Sequence, residues 1–253
     1  MHAFWRDYGR GPGARMHETA DLVWFSTACA SPAGNRVLLA RSNHDDNSLD
    51  LGEIDRLAAT ERKHFQWLVL RESEPDDLER HLKTRRAQRI GEVPGMVADT
   101  ASVPSEAEIA GFRIERVEGV SQQRLWARLA AAASGWDEAA AAEFERLEAS
   151  FGPAVYETRP RFIGYLDDKP VATSAMVLAA GVAGLYAVAT LPMARRRGIG
   201  AEMTVAPLRT IDAGSWPHAT LQASPVGLPI YERLGFRPIC RFDLYLQRPH
   251  YQC

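Results

Sequence analysis

The stretch from residue 184 to residue 201 constrains the fold of this chain more than any other. Its first part, Gly184–Leu191, is apolar and partly β-branched or aromatic, which predicts a largely buried strand. Pro192 cannot donate to a sheet ladder and therefore ends that strand. Three arginines, Arg195–Arg197, then precede two glycines and an apolar-periodic segment typical of a helix. This order predicts an anion site, because glycines allow a close approach and the first helical amides lack a partner within the helix.

The spacing of these residues distinguishes among phosphate-binding motifs. No Gly-x-x-x-x-Gly-Lys-Ser/Thr string occurs in the chain, and a dinucleotide fingerprint would need a glycine where Met203 stands. What remains is Arg-x-x-Gly-x-Gly, at Arg195, Gly198 and Gly200. Here the sequence resembles the GNAT family of acyl-CoA-dependent N-acetyltransferases, whose pyrophosphate loop carries such a motif after a Val-rich strand and a proline. The plain alternative is a basic, glycine-capped surface turn.

A second segment, residues 221–236, resembles the other half of the same family's signature. It consists of a short strand, a small polar residue and a helix ending in Tyr-x-x-Leu-Gly-Phe. The resemblance implies an α+β class, the GNAT acyl-CoA N-acyltransferase fold, in which helices flank a central mixed, mainly antiparallel sheet. In that fold we expect Gly235 to end the helix in a left-handed turn and Phe236 to pack in the core.

Composition limits the class of protein and its partners. The hydrophobic share of 46% and the charged share of 25% are ordinary for a globular protein, and the net charge of −2 favours neither a nucleic acid nor a membrane as partner. No apolar run is long enough to span a membrane, and the N-terminus does not resemble a secretory signal. The cysteines at 29, 240 and 253 and the histidine spacing predict no disulfide framework and no metal. We expect a cytoplasmic protein, and a homodimer is left open.

The chain divides at a small, polar segment, residues 99–110, which has the composition of a linker. We expect an N-terminal α/β region over residues 1–100 and a GNAT domain over residues 111–253. Residues 1 to about 20, broken by glycines, predict a loose or partly ordered arm. The pattern of residues 21–100 resembles a degenerate GNAT half-copy without an Arg-x-x-Gly-x-Gly loop, and the alternative is an unrelated α+β cap.

Periodicity and turn residues predict the remaining elements. Ser121 and Asp137 are predicted to cap the two helices that follow a first GNAT strand, and Pro207 is predicted to kink or shorten the helix after the glycine loop. The predicted strands are 36–41, 66–70, 112–117, 160–166 and 171–179, with 21–27 either strand or short helix and 91–98 extended. The predicted helices are 51–65, 74–82, 121–135 and 138–150, and residues 43–50 are a predicted loop.

The resemblance also assigns roles to residues. Tyr231 is the predicted general acid, or else a packing tyrosine, and Glu157 is the predicted general base, or else a solvated loop glutamate. Trp24 or Trp67 could supply an apolar wall of the acceptor cleft. The residues implied to bind the cofactor, mainly through backbone amides, are Val188, Ala189, Thr190, Arg195, Arg196, Arg197, Gly198, Ile199, Gly200, Ala201 and Ser224.

The resemblance therefore implies an N-acetyltransferase. It would transfer the acetyl group from acetyl-CoA to a primary amine of a small molecule or peptide by direct attack on the thioester. The competing hypothesis is a non-catalytic acyl-CoA-binding regulatory module with the same fold. The intact Arg195, Gly198, Gly200 and Tyr231 favour the enzyme, and a larger acyl donor stays open.

Overall fold

The computed structural model describes residues 3–29, 31–40, 51–71, 76–105 and 108–249. They belong to two compact units. We call residues 95–239 the glycine-loop unit, and residues 4–94 together with the chain from residue 240 on the N-terminal unit. The predicted loop 43–50 and the predicted helix start near Pro75 lie outside the described residues.

The N-terminal unit contains a sheet whose strands run in the order β1-β2-β3-β4-β11. β3 and β4 are parallel, and the other neighbours are antiparallel. The elements that contribute to this unit are α1 (Ala3–Gly9), β1 (Arg15–Glu18), β2 (Leu22–Ser26), β3 (Asn35–Ala40), α2 (Gly52–Thr60), β4 (Phe65–Leu70), α3 (Asp76–Thr84), the first part of β5 (Gln88–Asp99) and the last part of β11 (Arg237–Gln247).

The glycine-loop unit contains the order β5-β10-β9-β8-β7-β6. β9 and β10 are parallel and the other neighbours are antiparallel, so the predicted mixed, mainly antiparallel sheet is confirmed. Its other elements are β6 (Phe112–Arg116), α4 (Gly119–Ala133), α5 (Glu138–Ser150), α6 (Pro153–Thr158), β7 (Arg161–Leu166), β8 (Lys169–Ala179), β9 (Val182–Thr190), α7 (Ile199–Val205), β10 (His218–Gln222) and α8 (Leu228–Arg233).

The bounds of the units differ from the predicted domains, 1–100 and 111–253. Each unit takes its last strand from the other part of the sequence. Residues 242–247 of β11 pair with β4, and residues 95–99 of β5 pair with β10. The predicted linker is therefore tied down at its start, where Asp99 accepts from the amide of Ala101 and Thr100 donates to the Trp216 carbonyl.

The N-terminal arm, which the sequence predicts to be loose or partly ordered, contains two regular elements among its described residues. Residues 3–9 form α1 and residues 15–18 form β1. Phe4 and Tyr8, four residues apart, lie on one helix face, and their rings meet edge to face at 5.3 Å. Both side chains are buried. The burial of these two aromatic side chains therefore stabilises α1, although glycines follow it in the sequence.

Both sequence-predicted helix starts in the glycine-loop unit can be checked. Asp137 caps α5 as predicted, because its carboxylate accepts from the amide of Ala140. Ser121 does not cap α4, which begins two residues earlier. Gln122 reaches back instead, and its side-chain oxygen accepts from the amide of Glu118.

Pro207 shortens the helix after the loop, since α7 ends at Val205 and a short 3-10 turn follows.

Trp24 and Trp67 do not form a wall of any cleft. Trp67 is fully buried and Trp24 nearly so, in a core cluster that also contains Ile54 and Leu57 of α2. The indole N–H of Trp67 donates to the side-chain oxygen of Gln247 at 3.1 Å. These tryptophans stabilise the N-terminal unit, so the hypothesis that either lines an acceptor site is wrong.

Candidate functional site

The candidate site begins where β9 separates from its parallel neighbour. β9 and β10 pair from Val182 opposite His218 to Gly184 opposite Thr220, and the pairing stops there. On its other side β9 stays paired with β8 as far as Thr190 opposite Ala172. The edge of β9 beyond Gly184 therefore faces a gap between two splayed strands.

The backbone of β9 directs particular amides into this gap. Leu191 donates its N–H to the carbonyl of Val171, which places residue 191 in register with β8. Successive residues of a strand turn their backbone groups to opposite sides, so Thr190 and Val188 face away from β8, and Ala189 faces toward it. A local irregularity precedes them, because Ala187 has a φ of 49° and its carbonyl accepts from the Thr173 hydroxyl.

The three arginines of the loop have different surroundings. The guanidinium of Arg195 donates to the carbonyl of Thr190 at 2.9 Å and to that of Ala133 at 3.2 Å, at the last turn of α4. Arg195 therefore fastens the loop to β9 and α4. Arg196 and Arg197 are exposed, and their side chains bond to none of the described residues.

The backbone around the two glycines offers free donors. Gly198 has a φ of 83°, left-handed, and stands as the N-cap of α7. No described residue accepts a hydrogen bond from any of the amides from residue 196 to residue 200. The amide of Ala201, which was predicted to bind the cofactor, donates to the Gly198 carbonyl at 3.0 Å, and Ile199 packs its side chain in the core.

The second glycine, Gly200 of α7, lies where α7 approaches β9 and α8. A Cβ on Gly200 would lie 3.8 Å from the Ile230 side chain of α8 and 3.8 Å from the Thr190 hydroxyl of β9. The fold thus brings β9, the glycine loop, α7 and α8 together around Gly200. These elements carry the residues predicted to bind the cofactor, apart from Ser224, which lies between β10 and α8.

Tyr231 lies on α8 in a tightly packed position. Its ring contacts Phe236 edge to face at 6.1 Å, and a Cβ on Gly227 would lie 2.7 Å from the ring. Burial raises the pKa of its phenol to about 12. The hydroxyl makes no hydrogen bond to any residue of the described part of the chain. Gly235, with a φ of 87°, ends α8, and Phe236 is buried, both as predicted.

Ser224 begins the turn that leads into α8. Its hydroxyl oxygen accepts from the amide of Gly227 at 3.1 Å, and its carbonyl accepts from the amide of Leu228 at 2.9 Å. The side chain is exposed, and its hydroxyl proton is left to donate. Its role toward a cofactor stays a prediction.

Glu157 lies apart from this group. It is exposed on α6, a helix that the sequence interpretation treated as loop, and its backbone carbonyl accepts from Arg116 at 3.1 Å. Its carboxylate makes no hydrogen bond or ion pair within the described residues, and none of their contacts joins it to Tyr231 or to the loop. Its role as general base stays a prediction.

Two residues of the site were not predicted from the sequence. Ala187 adopts a left-handed φ inside a strand, and alanine gives no signal for that. Gly227 provides the surface against which Tyr231 packs, and the spacing of four residues within a helix would have indicated this contact.

Among the comparisons with known proteins, only the solved structures give matches. No family model matches the chain, and no curated protein matches it. A solved structure of a GCN5-related N-acetyltransferase from Kribbella flavida matches 98% of this chain and 93% of its own, with 22% identity and a TM-score of 0.71. The protein has the GNAT fold.

The GNAT fold extends over both halves of the chain. A tandem GNAT protein from the clavulanic acid biosynthesis pathway matches 96% of this chain and 86% of its own, with 10% identity and a TM-score of 0.61. A GCN5-related N-acetyltransferase from Sphaerobacter thermophilus matches 97% and 84%, with 14% identity and a TM-score of 0.60. The N-terminal half is therefore GNAT-like rather than an unrelated cap.

Among the described residues, no group of three or more His, Cys, Asp or Glu side chains could hold a metal ion. In the same part of the chain, no helix has the length and apolarity needed to cross a membrane.

Proposed function

We propose that the chain is an N-acetyltransferase that transfers the acetyl group of acetyl-CoA to a primary amine of a small molecule or peptide. One observation carries the proposal. The gap beside β9 leads directly into a glycine loop whose amides, from residue 196 to residue 200, have no acceptor among the described residues. A diphosphate with an adjoining extended arm has the shape and charge that such a surface requires.

The residues present fit this group. Gly198 and Gly200 leave room where any side chain would stand in the way, and the positive end of α7 favours an anion. Arg196 and Arg197 would add positive charge at the loop. The amides of Val188 and Thr190 would bind the extended arm along β9, and the Ser224 hydroxyl would donate from the turn before α8.

The chemistry of the proposed reaction needs a stabilised oxygen and a protonated leaving group. Bound acetyl-CoA would supply the acetyl group as a thioester. The Val188 amide would donate to the thioester oxygen, and a single donor of this kind contributes about 3 kcal/mol. Tyr231 would donate a proton to the departing sulfur.

The pKa of Tyr231 shapes this role. Burial raises the pKa to about 12, above that of an ordinary phenol and further from that of a thiol, so Tyr231 is a weaker acid than a solvated tyrosine. The proton is present at every working pH, but it moves only as charge develops on sulfur. Glu157 stays the proposed base for the acceptor ammonium.

The proposed compartment is the cytoplasm. Cys29 and Cys240 are free thiols, which suits a reducing environment. A homodimer stays a possible assembly.

Titration calorimetry with acetyl-CoA tests the proposal. We expect micromolar binding by the parent protein and none by Gly198→Glu, which places a carboxylate in the anion site. The matched control is Gly13→Glu in the N-terminal unit, because Gly13 also has a positive φ, 70°, and open space around it. The control bears the same backbone strain and should keep the parent affinity.

Two kinds of result would contradict the proposal. If the folded parent does not bind acetyl-CoA, or if both glycine variants lose binding equally, the cofactor site is refuted. If acetyl-CoA binds and a broad panel of primary amines gives no turnover, the transferase is refuted and the non-catalytic binding module replaces it.

A further inference from the structure

β9 contains one extra residue relative to β8 in the stretch where its other edge has separated from β10. β8 pairs with β9 in one register up to Thr173, and in another register, shifted by one residue, from Ala175 on. Ala187 and Val188 together therefore lie opposite Ser174. Two residues opposite one form a β-bulge, which turns the backbone groups of the longer strand in a new direction. The bulge thus sets the orientation of the peptide unit between Ala187 and Val188.

Ala187 adopts a backbone conformation that its side chain disfavours. Its φ of 49° lies in the left-handed region, where a bulge of this kind usually has glycine. A residue with a Cβ stays in this region only when its surroundings hold it there. Thr173 provides such a contact, because its hydroxyl donates to the Ala187 carbonyl at 2.9 Å. This hydrogen bond therefore stabilises the left-handed conformation.

The same hydrogen bond fixes the amide of the next residue. The peptide unit between Ala187 and Val188 is planar and trans, so the Val188 N–H points opposite to the Ala187 C=O. Since this carbonyl is directed at Thr173 on β8, the N–H is directed away from β8, toward the edge of β9 where pairing with β10 has stopped. A hydrogen bond to the carbonyl also polarises the peptide unit, which strengthens its N–H as a donor.

The β8 side of the bulge is held in place by α4. The indole N–H of Trp126 donates to the Ser174 carbonyl at 3.0 Å. Trp126, Thr173 and Ser174 are all fully buried. Side chains in a close-packed interior have little room to move, so the position of the Thr173 hydroxyl is set by the packing of α4 on the sheet.

We propose that Thr173 is a positioning residue for acetyl transfer: its hydroxyl holds the Ala187–Val188 peptide so that the Val188 N–H points at the thioester oxygen. This inference rests on the proposed function and deepens it. Thr173 acts through the peptide unit, since its side chain is fully buried. The glycine loop does not depend on this hydrogen bond, so loss of the hydroxyl should affect turnover more than the affinity for acetyl-CoA.

Thr173→Val tests the proposal, because it replaces the hydroxyl with a methyl group and keeps the branched shape. Removing an oxyanion donor costs about 100-fold or more in kcat, so misdirecting one should cost about tenfold. The dissociation constant of acetyl-CoA and the KM for a responsive amine should stay within about twofold. Thr173→Ser, which keeps the hydroxyl, should retain most of the parent kcat.

The matched control is Thr100→Val, outside the site. The buried Thr100 hydroxyl donates to the Trp216 carbonyl, so this variant loses the same kind of hydrogen bond. Its kcat should equal that of the parent. If Thr173→Val does not fold, Thr173→Ala removes the same hydroxyl and adds no methyl group in its place.

Nuclear magnetic resonance gives a readout that needs neither ligand nor turnover. A positive φ brings the amide proton and the α proton of one residue close together, so Ala187 of the parent should show a strong nuclear Overhauser effect between them. Thr173→Val should weaken this effect, whereas Thr173→Ser and Thr100→Val should keep it. With acetyl-CoA bound, the Val188 amide proton of the parent should shift downfield relative to the CoA complex, and by less in Thr173→Val.

Three results would overturn the proposal. A folded Thr173→Val variant with the parent kcat would show that the hydroxyl is only structural. An unchanged Ala187 effect in that variant would show that the bulge keeps its conformation without the hydrogen bond. Equal losses of kcat in Thr173→Val and Thr100→Val would assign the loss to general destabilisation. Failure of the parent to bind acetyl-CoA is a separate calorimetric result that refutes the proposed function, and the ligand-free Ala187 measurement still decides whether Thr173 holds the peptide.

Discussion

The two units of this chain share a strand topology and differ in the space they leave within it. In each, an antiparallel pair leads into a parallel neighbour, β2-β3-β4 in one and β8-β9-β10 in the other. At the parallel ladder the N-terminal unit has Val37 opposite Trp67, and the glycine-loop unit has Ala183 opposite Ala219. At these positions the glycine-loop unit has two alanines, which occupy little space. The N-terminal unit has a valine and a tryptophan, which fill the corresponding space.

The comparison indicates how a duplicated fold can specialise. In the glycine-loop unit Arg-x-x-Gly-x-Gly stands between β9 and α7, and the splayed β9 leaves backbone donors for a ligand. The same string in the N-terminal unit, residues 6–11, begins inside α1 and does not connect a strand to a helix. The N-terminal unit uses the same topology to bury a core around Phe65 and Trp67. If this division is right, changes in one unit should affect stability and changes in the other should affect binding or turnover.

The largest expected effect comes from the core of the N-terminal unit. Trp67→Ala removes a fully buried indole and its hydrogen bond to Gln247, so the free energy of unfolding should fall by about 3–5 kcal/mol. Denaturant unfolding measures the loss, with Ile90→Ala, exposed on β5, as a control that should change it by less than about 0.5 kcal/mol. If folded Trp67→Ala binds acetyl-CoA more than twofold less tightly than the parent, the proposed division between the two units is wrong.

The next effect belongs to the glycine-loop unit and sharpens the contrast. Tyr231→Phe removes the proposed proton donor, and turnover should fall about 100-fold while the affinity for acetyl-CoA stays within twofold. Steady-state kinetics with a responsive amine measures this. The matched control is Tyr8→Phe, which removes the hydroxyl of a buried tyrosine in the N-terminal unit. Full turnover by Tyr231→Phe would reduce Tyr231 to a packing residue.

Local sequence signals predicted much of the fold and the loop. Alternation and turn residues located most strands, and Arg195, Gly198 and Gly200 indicated the loop because glycine spacing reflects backbone geometry directly. The exchange of β5 and β11 between the units was not predictable, since strand partners far apart in sequence leave no local pattern. The helix α6, which carries Glu157, was missed, because six residues are too few for apolar periodicity to indicate a helix.

The contribution of Tyr231 to the free energy of unfolding should depend on pH. Its folded pKa, about 12, lies above the ordinary value of 10, so its contribution to stability is complete below pH 10 and is lost as the pH rises through 12. The loss should reach the order of 2 kcal/mol by pH 12. Denaturant unfolding of the parent and of Tyr231→Phe at both pH values isolates it, because other tyrosines titrate in both proteins. Parallel losses in the two proteins would contradict the burial of this phenol.

The smallest expected effects distinguish the loop arginines from an arginine with similar backbone geometry. Arg196 has a φ of 64° and Arg86, in the N-terminal unit, a φ of 52°, and both are exposed. Arg196→Ala and Arg197→Ala should each raise the dissociation constant of acetyl-CoA about threefold to fivefold at low salt, and less at high salt, because ions screen exposed charges. Arg86→Ala should leave it unchanged.

Arg195→Ala should act differently, because its guanidinium already donates to the carbonyls of Thr190 and Ala133. Loss of these bonds should lower the free energy of unfolding by about 1 kcal/mol. Calorimetric titration at two salt concentrations, paired with denaturant unfolding, measures both quantities for each variant. If Arg86→Ala weakens binding as much as Arg196→Ala, positive charge acts through the whole surface. The functional difference between the two units would then not reside in the loop.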